Sequence, residues 1–294
     1  MQKICILHSS FFFFFCNFAD MINNHIRQPR TIIRIGQQSL MFLMPEVHGT
    51  NAEGQRTVTP LRFEPYTVKS GMSMAANLRE AFRESEVLGM ANNRVQVIID
   101  APVMLVPMEE FNEDEAPELF MHTFTVQKNE AVMCHVLPDL NSVAVFSINK
   151  DLRMVITDHY PDVRIMPLLV PVWQHLHHRS YAGHTRKVYA YFHDGQLSVF
   201  AFAKNRFRFA NTYQAKEAAD AAYFILYVWQ QLAMDSRKDE LYIVGESPDY
   251  ETLRADLKRY VLNVYGVNPS AEFNRAPITQ EPRVTYDIIC LCES

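Results

Sequence analysis

A chain of 294 residues has room for one large domain or two of ordinary size. Its 48% hydrophobic and 12% aromatic content supports a sizeable packed core, and a formal net charge of −5 supplies no global basic field for nucleic acid or an anionic membrane. The five cysteines (Cys5, Cys16, Cys134, Cys290 and Cys292) are odd in number and sit mostly in apolar contexts. That pattern fits reduced, packed thiols in a cytoplasmic protein rather than a disulfide framework.

The first residues, MQKICILHSSFFFFFCNFA, hold an apolar stretch of signal-peptide length with Ala19 near a cleavage position. The stretch is too short to span a bilayer, which takes about 20 apolar residues. Its run of five phenylalanines is unlike the Leu- and Ala-rich core of a signal peptide. Residues 1–20 are therefore expected to be a non-structural extension ahead of Met21.

From Thr31, TIIRIGQQSLMFLMPE gives two apolar runs around Gly36-Gln37-Gln38, a hairpin signal. The polar stretch from His48 to Thr57 reads as a surface turn, and Leu61 to Val68 as a third strand. Ser73 to Leu88 has apolar residues near helical spacing, with Ser73 as N-cap. Arg94 to Asp100 follows as a strand, so the order is β-β-β-α-β. Val103 to Pro107 reads as extended and Glu113 to Phe124 as an acidic helix, its carboxylates placed at the helix N-terminus. Val132–Val136, Val143–Ile148 and Val163–Met166 read as strands. Lys150–His159 reads as a helix or an irregular return, and Leu168–Arg179 as a helix.

The most legible stretch is Lys187 to Gly245. Apolar runs broken at His193-Asp194-Gly195-Gln196 and at Lys204-Asn205 predict a three-stranded meander. About 20 residues without Gly or Pro then predict a helix, and DELYIVGES a strand, which is β-β-β-α-β again. Beyond it, Tyr250–Leu262 reads as a helix, Asn263–Val267 as a short strand and Asn274–Arg283 as a loop. Val284–Cys292 reads as a closing strand, which would set Cys290 and Cys292 on one face.

Two such units in tandem, mixed α/β (α+β) in class, resemble the paired ribonuclease-H-like lobes of the actin-like ATPase superfamily. The phrase FAKNRFRFANTYQAKEAADAAYFILYVWQQLAMDSRKDELYIVGE is similar to the second half of the bacterial actin-like proteins of pilus assembly and type II secretion. It is most similar to an uncharacterised bacterial family with that fold. The resemblance implies a first lobe over 21–183 and a second over 184–294. It also implies nucleotide loops of Asp-x-Gly at the start of each lobe and Gly-Gly at the adenosine loop, with glycine admitting phosphate and Asp holding hydrated Mg²⁺.

In this chain the three motifs read Arg34-Ile35-Gly36, His193-Asp194-Gly195 and Gly245-Glu246. A cation replaces the first acid, the second acid is displaced by one position, and the second adenosine-loop glycine is lost. A non-enzymatic scaffold or interaction module with an unknown protein partner is therefore the leading expectation, with no catalytic residues, no metal ligands and no nucleic-acid partner. The runner-up is a nucleotide-binding protein or slow ATPase using ATP and Mg²⁺ in the interlobe cleft through Gly36, Gln37, Asp194, Gly195 and Gly245. A third reading, by analogy with the pilus and secretion relatives, is a cytoplasmic platform peripheral to a membrane assembly.

Other clusters read as structural. His175, His177, His178 and His184 are expected to be a solvated cluster or to cap a helix C-terminus, with no acid or cysteine completing a metal set. Asp220, in an apolar helix, is expected to be buried and paired with Asn211 or Arg208. No Gly-x-Ser-x-Gly, P-loop or paired CxxC motif occurs.

Overall fold

β-Branched and large apolar residues build the first sheet of the computed structural model, which describes residues 30–50, 56–91, 93–181, 184–203 and 206–293. Strands β1 (Thr31–Ile35) and β2 (Ser39–Met44) form an antiparallel hairpin through Gly36, with Ile35 opposite Leu40. Of the expected surface turn from His48 to Thr57, residues 51–55 lie outside the described residues, and the flanking segments are strands. Strands β3 (Val47–Thr50) and β4 (Arg56–Thr59) pair antiparallel. Strand β5 (Arg62–Thr67) then extends the first sheet against β2.

Helix α1 (Met74–Glu84) is capped by Ser73, whose hydroxyl accepts a hydrogen bond from the Ala76 amide at 3.2 Å. The predicted helix to Leu88 breaks at Ser85. That residue adopts an extended backbone and caps a second short helix, α2 (Glu86–Gly89), by accepting from the Leu88 amide. A serine offering its own hydroxyl to the backbone competes with helix continuation. Strand β6 (Arg94–Ile99) returns parallel to β1.

A small subdomain follows. Strand β7 (Val103–Pro107), helix α3 (Ala116–Thr123), β8 (Glu130–Leu137) and β9 (Ser142–Asn149) form a three-stranded antiparallel sheet with β9 central. Lys150–His159 is helix α4, capped by the Asn149 side chain. Strand β10 (Asp162–Pro167) closes the first sheet parallel to β6, and α5 (Leu169–Ser180) leads away.

The second sheet repeats the first. Strands β11 (Lys187–His193), β12 (Gln196–Ala203) and β13 (Arg206–Gln214) are the predicted meander; its turn at Lys204-Asn205 lies outside the described residues. Helix α6 (Ala218–Gln231) and strand β14 (Glu240–Gly245) follow, then α7 (Tyr250–Lys258) and β15 (Asn263–Gly266). The sheet orders β5-β2-β1-β6-β10 and β13-β12-β11-β14-β15 are the same topology twice. Each meander supplies three strands, and the two parallel additions arrive through helices, as parallel pairing requires.

The C-terminus departs from expectation. After a one-turn helix α8 (Pro269–Glu272), the stretch expected to be a strand forms helix α9 (Tyr286–Glu293), which packs on α5. Tyr286, Asp287, Ile288, Ile289 and Cys290 are buried in succession, so the segment has no solvent-facing side to impose period two. Short apolar runs do not distinguish strand from buried helix by periodicity alone. Cys290 and Cys292 accordingly do not share a face, since two helical steps separate them by about 200°.

Hydrophobic clusters show how the lobes fit. Ile33, Ile35, Leu40 and Phe42 pack under α1 and α4, and Val188, Ala190 and Phe192 pack under α6 and α7. A third cluster lies between the sheets: Ile32, Leu43 and Ile98 from the first, Tyr189, Tyr191 and Phe200 from the second, with α5 and α9 residues among them. Each such side chain contributes roughly 1.5–3 kcal/mol on burial. The inner faces of the two sheets are thus joined by a common core.

Candidate functional site

Strand alternation decides what enters the space between the lobes. Along β1, Ile33 and Ile35 face the helices, so Ile32 and Arg34 face inward. Arg34 is fully buried. Its Nε donates to Asp287 Oδ2 at 2.9 Å and Oδ1 at 3.1 Å. Its Nη2 and Nη1 donate to Asp194 Oδ2 and Oδ1 at 2.8 and 3.3 Å. One guanidinium therefore ties the first hairpin to the second hairpin and to the last helix, the planar fork matching a carboxylate end-on.

Asp287, also fully buried, accepts further from the Tyr191 hydroxyl at 3.1 Å, the Ile288 amide at 2.7 Å and the Thr285 hydroxyl. Burial alone would lower the Arg34 pKa, but Asp287 and Asp194 outweigh it and hold the pKa above the ordinary value. Burial, reinforced by the charge on Asp287, pushes the Tyr191 phenol well up. The arginine is thus a permanent cation and the tyrosine a donor.

A second carboxylate stands beside this hub. Asp100 follows β6, where its amide donates to the Ile35 carbonyl at 2.8 Å. Its Oδ2 accepts from Gln196 Nε2 at 3.0 Å, and the Gln37 side chain also bonds it. Burial first, then the neighbouring Asp194, raises its pKa to about 6. His193 stacks on Tyr191 with ring centroids 5.0 Å apart, and one ring nitrogen, Nε2, meets Ser198 Oγ at 2.9 Å. Ser198 in turn bonds Thr212 Oγ1 at 2.8 Å. Burial pushes the His193 pKa down to about 4, so the ring is neutral at pH 7. Asp100, Gln37, Gln196, His193, Ser198 and Thr212 border a cleft of ≈ 630 Å³ that continues past Trp173 and Phe207 between β7 and β13.

The residues predicted to hold nucleotide are thus partly gathered. Gly36 and Asp194 meet at Arg34, and exposed Gln37 borders the same cleft. Gly195, with φ +74° and open space where a Cβ would stand, serves the tight turn after Asp194. Gly245 ends β14 with φ +78°, its Cβ position 2.3 Å from the Phe192 carbonyl oxygen. It lines a separate depression of ≈ 430 Å³ with Glu246, Tyr250 and Asn268.

The hub residues Asp100 and Asp287 were not singled out in the sequence. Asp287 lies 253 positions from its partner in a segment read as strand, and no local pattern signals the contact. The one available signal was Arg34 itself, a charged residue inside an apolar strand.

Three further expectations change. Asp220 is exposed in the first turn of α6, where the helix dipole favours an acid, so it needs no buried partner. His177 is buried rather than solvated, packed against Tyr181 and Phe202. His175 does find an acid: its Nε2 lies 2.9 Å from Glu272 Oε1, which also accepts from Arg179 at 2.6 Å.

A hydrated Mg²⁺ with ATP does not fit the hub. A Cβ on Gly36 would lie 2.8 Å from Arg34 Nη1 and 3.1 Å from both Asp194 carboxylate oxygens. The guanidinium–carboxylate pair therefore fills the space where the hairpin backbone would approach phosphate. The N–H groups of Arg34 that face the hub are already committed to carboxylates.

Twin lobes with facing hairpins and a common inner core define this protein as one of the actin-like ATPase fold. More narrowly, the chain belongs to the family described as Protein of unknown function (DUF3822), whose model matches residues 23–264. Among solved structures it is similar to a Bacteroides thetaiotaomicron protein with actin-like ATPase fold and unknown function. That similarity is 28% identity over 83% of this chain and 92% of the other, at TM-score 0.72. It is also similar to a chain of the PilM–PilN type IV pilus biogenesis complex, at 13% identity over 90% and 97% of the two chains and TM-score 0.50. The cytoplasmic domain of EpsL from the Vibrio cholerae type II secretion system matches at 12% identity over 74% and 83%, with TM-score 0.40. No curated protein matches the chain.

Proposed function

We infer that this chain is a non-enzymatic actin-like protein that works as a scaffold or interaction module. One observation carries the reading: Arg34 stands where the superfamily's first acid is needed, buried between Asp194 and Asp287. ATP hydrolysis on this fold needs an acid for Mg²⁺ and open backbone for phosphate. Here a cation displaces the first, and an ion pair crowds the second. What remains is a two-lobed body of 21–183 and 184–294 whose hinge region is held by a buried charge cluster.

A protein partner is the natural client of such a body, as in the pilus relative whose structure is a complex of PilM with PilN. A place in the cytoplasm, beneath a membrane assembly, fits the same analogy. Among the described residues no helix is long and apolar enough to cross a membrane.

Calorimetric titration of the full chain with Mg·ATP separates this reading from the nucleotide-binding one. No heat of binding at millimolar ligand is expected, and saturable binding abolished by Asp194→Asn overturns it. Co-purification from native lysate under mild conditions should recover a stoichiometric protein partner, and a clean monomer without one counts against the scaffold.

A further inference from the structure

The strand at the end of a sheet leaves half of its backbone N–H and C=O groups without a ladder partner. Most such ends in this fold are blunted. Strand β5 carries Glu64 and Pro65, β10 carries Asp162 and Arg164, and β13 carries Arg206 and Arg208 beside a register break. Strands β3, β4 and β15 are four residues long, and β7 is five. Strand β8 (Glu130–Leu137), at one end of the small subdomain's sheet, lacks these protections. It runs for eight residues, EAVMCHVL, without Lys, Arg or Pro and in unbroken register with β9.

That register decides which backbone groups point outward. The Lys150 amide donates to the Asn129 carbonyl at 2.8 Å, one step beyond the pair of Glu130 with Asn149. Hydrogen-bonded and non-bonded pairs alternate along an antiparallel ladder. Ala131, Met133, His135 and Leu137 therefore bond to β9, and Val132, Cys134 and Val136 turn their N–H and C=O groups away from it. On the far side of β9 the Met108 amide donates to the Asn141 carbonyl at 3.0 Å, which fixes the same alternation independently. Among the described residues nothing hydrogen-bonds these outward groups. The side chains of Val132, Cys134 and Val136 share the face that packs toward α3. Cys134 is exposed there, and Val136 is 41% exposed.

We propose that β8 pairs antiparallel with β8 of a second copy of this chain, about a two-fold axis at Cys134, joining two three-stranded sheets into one. The strand complements itself in this register. Cys134 meets Cys134, and Val132 meets Val136 of the second copy, so every outward N–H finds an outward C=O. Three residues on each of two strands, each donating once, give six hydrogen bonds. Moving the axis to Met133 keeps the backbone phase but sets the Glu130 carboxylate against Val136, a poorer cross-strand pair. A two-fold contact closes on itself, so assembly stops at the dimer. Pairing through the edge covers backbone and leaves the two Cys134 thiols side by side on the sheet face. The dimer goes beyond the scaffold reading and does not depend on it, since nucleotide titration and self-association are measured separately.

The test uses the full chain with Cys5 and Cys16 replaced by serine, so that cross-linking reports on Cys134. Sedimentation velocity at micromolar concentrations should show a monomer–dimer equilibrium and no larger species. A bis-maleimide with a two-carbon spacer should link two chains through Cys134 on both sides, as mapped by mass spectrometry. Val136→Lys places a cation on the edge, the device that blunts other edges, and should raise the dimer dissociation constant at least tenfold. Tyr223→Lys, at an exposed position of the second lobe, should leave it unchanged. A monomer at every concentration overturns the proposal. So does a dimer that keeps its affinity in Val136→Lys, one that gives no Cys134–Cys134 link, or an edge filled by an unrelated protein in place of a second copy. Should Val136→Lys not fold, amide hydrogen exchange of the wild-type chain decides instead. Exchange at Val132, Cys134 and Val136 should slow as the chain is concentrated, and unchanged rates overturn the site.

Discussion

Replacing Arg34 by methionine tests whether the hub holds the lobes together. Methionine keeps the unbranched stem and removes the charge and every side-chain hydrogen bond. The wild-type guanidinium makes its shortest contacts, 2.8 and 2.9 Å, with two different carboxylates, and both Arg34 and Asp287 are 0% exposed. Removing one partner of a buried pair strands the other in low dielectric and typically costs about 3–5 kcal/mol. Asp287 keeps its bonds from Tyr191, Thr285 and the Ile288 amide, which softens the loss, so the lower half of that range is expected. For a chain of this size each kcal/mol moves the melting point by about 2–4 °C, giving a fall of roughly 6–16 °C. Urea denaturation of Arg34→Met, Asp287→Asn and the double variant forms the assay. The double variant should be more stable than the sum of the single losses predicts, because the fully buried Asp287 no longer carries a stranded charge, while the partly exposed Asp194 loses Arg34 in the single and the double variant alike. A single-variant loss below about 1 kcal/mol, or strict additivity in the cycle, would refute the hub.

Other outcomes follow from individual residues. Asp100→Asn should stabilise the fold above pH 6. An acid whose folded pKa is raised to about 6 is ionised at a cost there, and that cost fades as pH falls toward 4. The gain is about 1–2 kcal/mol after discounting for partial exposure, and equal effects at pH 5 and pH 8 contradict it. His193, with its folded pKa near 4, works in the opposite sense: its contribution is intact above pH 6.5 and lost as pH falls through 4, so His193→Gln should flatten the acid limb of the stability curve. Gly245→Ala meets backbone, its Cβ 2.3 Å from the Phe192 carbonyl at φ +78°, and should cost at least about 2 kcal/mol by chemical denaturation. Gly266→Ala meets only the Tyr250 side chain, its hydroxyl and the adjoining ring edge, which can swing away where a backbone carbonyl cannot, and should cost less. Finally, burial pushes the Cys290 thiol well up, so among the described cysteines native-state alkylation mapped by mass spectrometry should label exposed Cys134 first and spare Cys290 until the chain unfolds.

Much of the fold was written locally. Alternating and β-branched runs, turn residues at Gly36 and Gly195, the Ser73 cap and the Gly- and Pro-free stretch of α6 each act over a few residues. Their repetition in one order therefore revealed the twin lobes. Arg34 in place of an acid was legible too, because one residue in one motif carries that information. The partner of Arg34 was not. Asp287 sits on α9, a segment whose isoleucines and tyrosine favour a strand in isolation. It becomes helix only because α5 offers an apolar face and the inner core buries five successive residues from every side. Likewise Asp100 follows β6 and the adjacent pair His193-Asp194 closes β11, two strand ends brought together by the pairing of lobes rather than by spacing in the chain. Local propensity set the two sheets; long-range burial chose the last helix, and with it the charge cluster between the lobes.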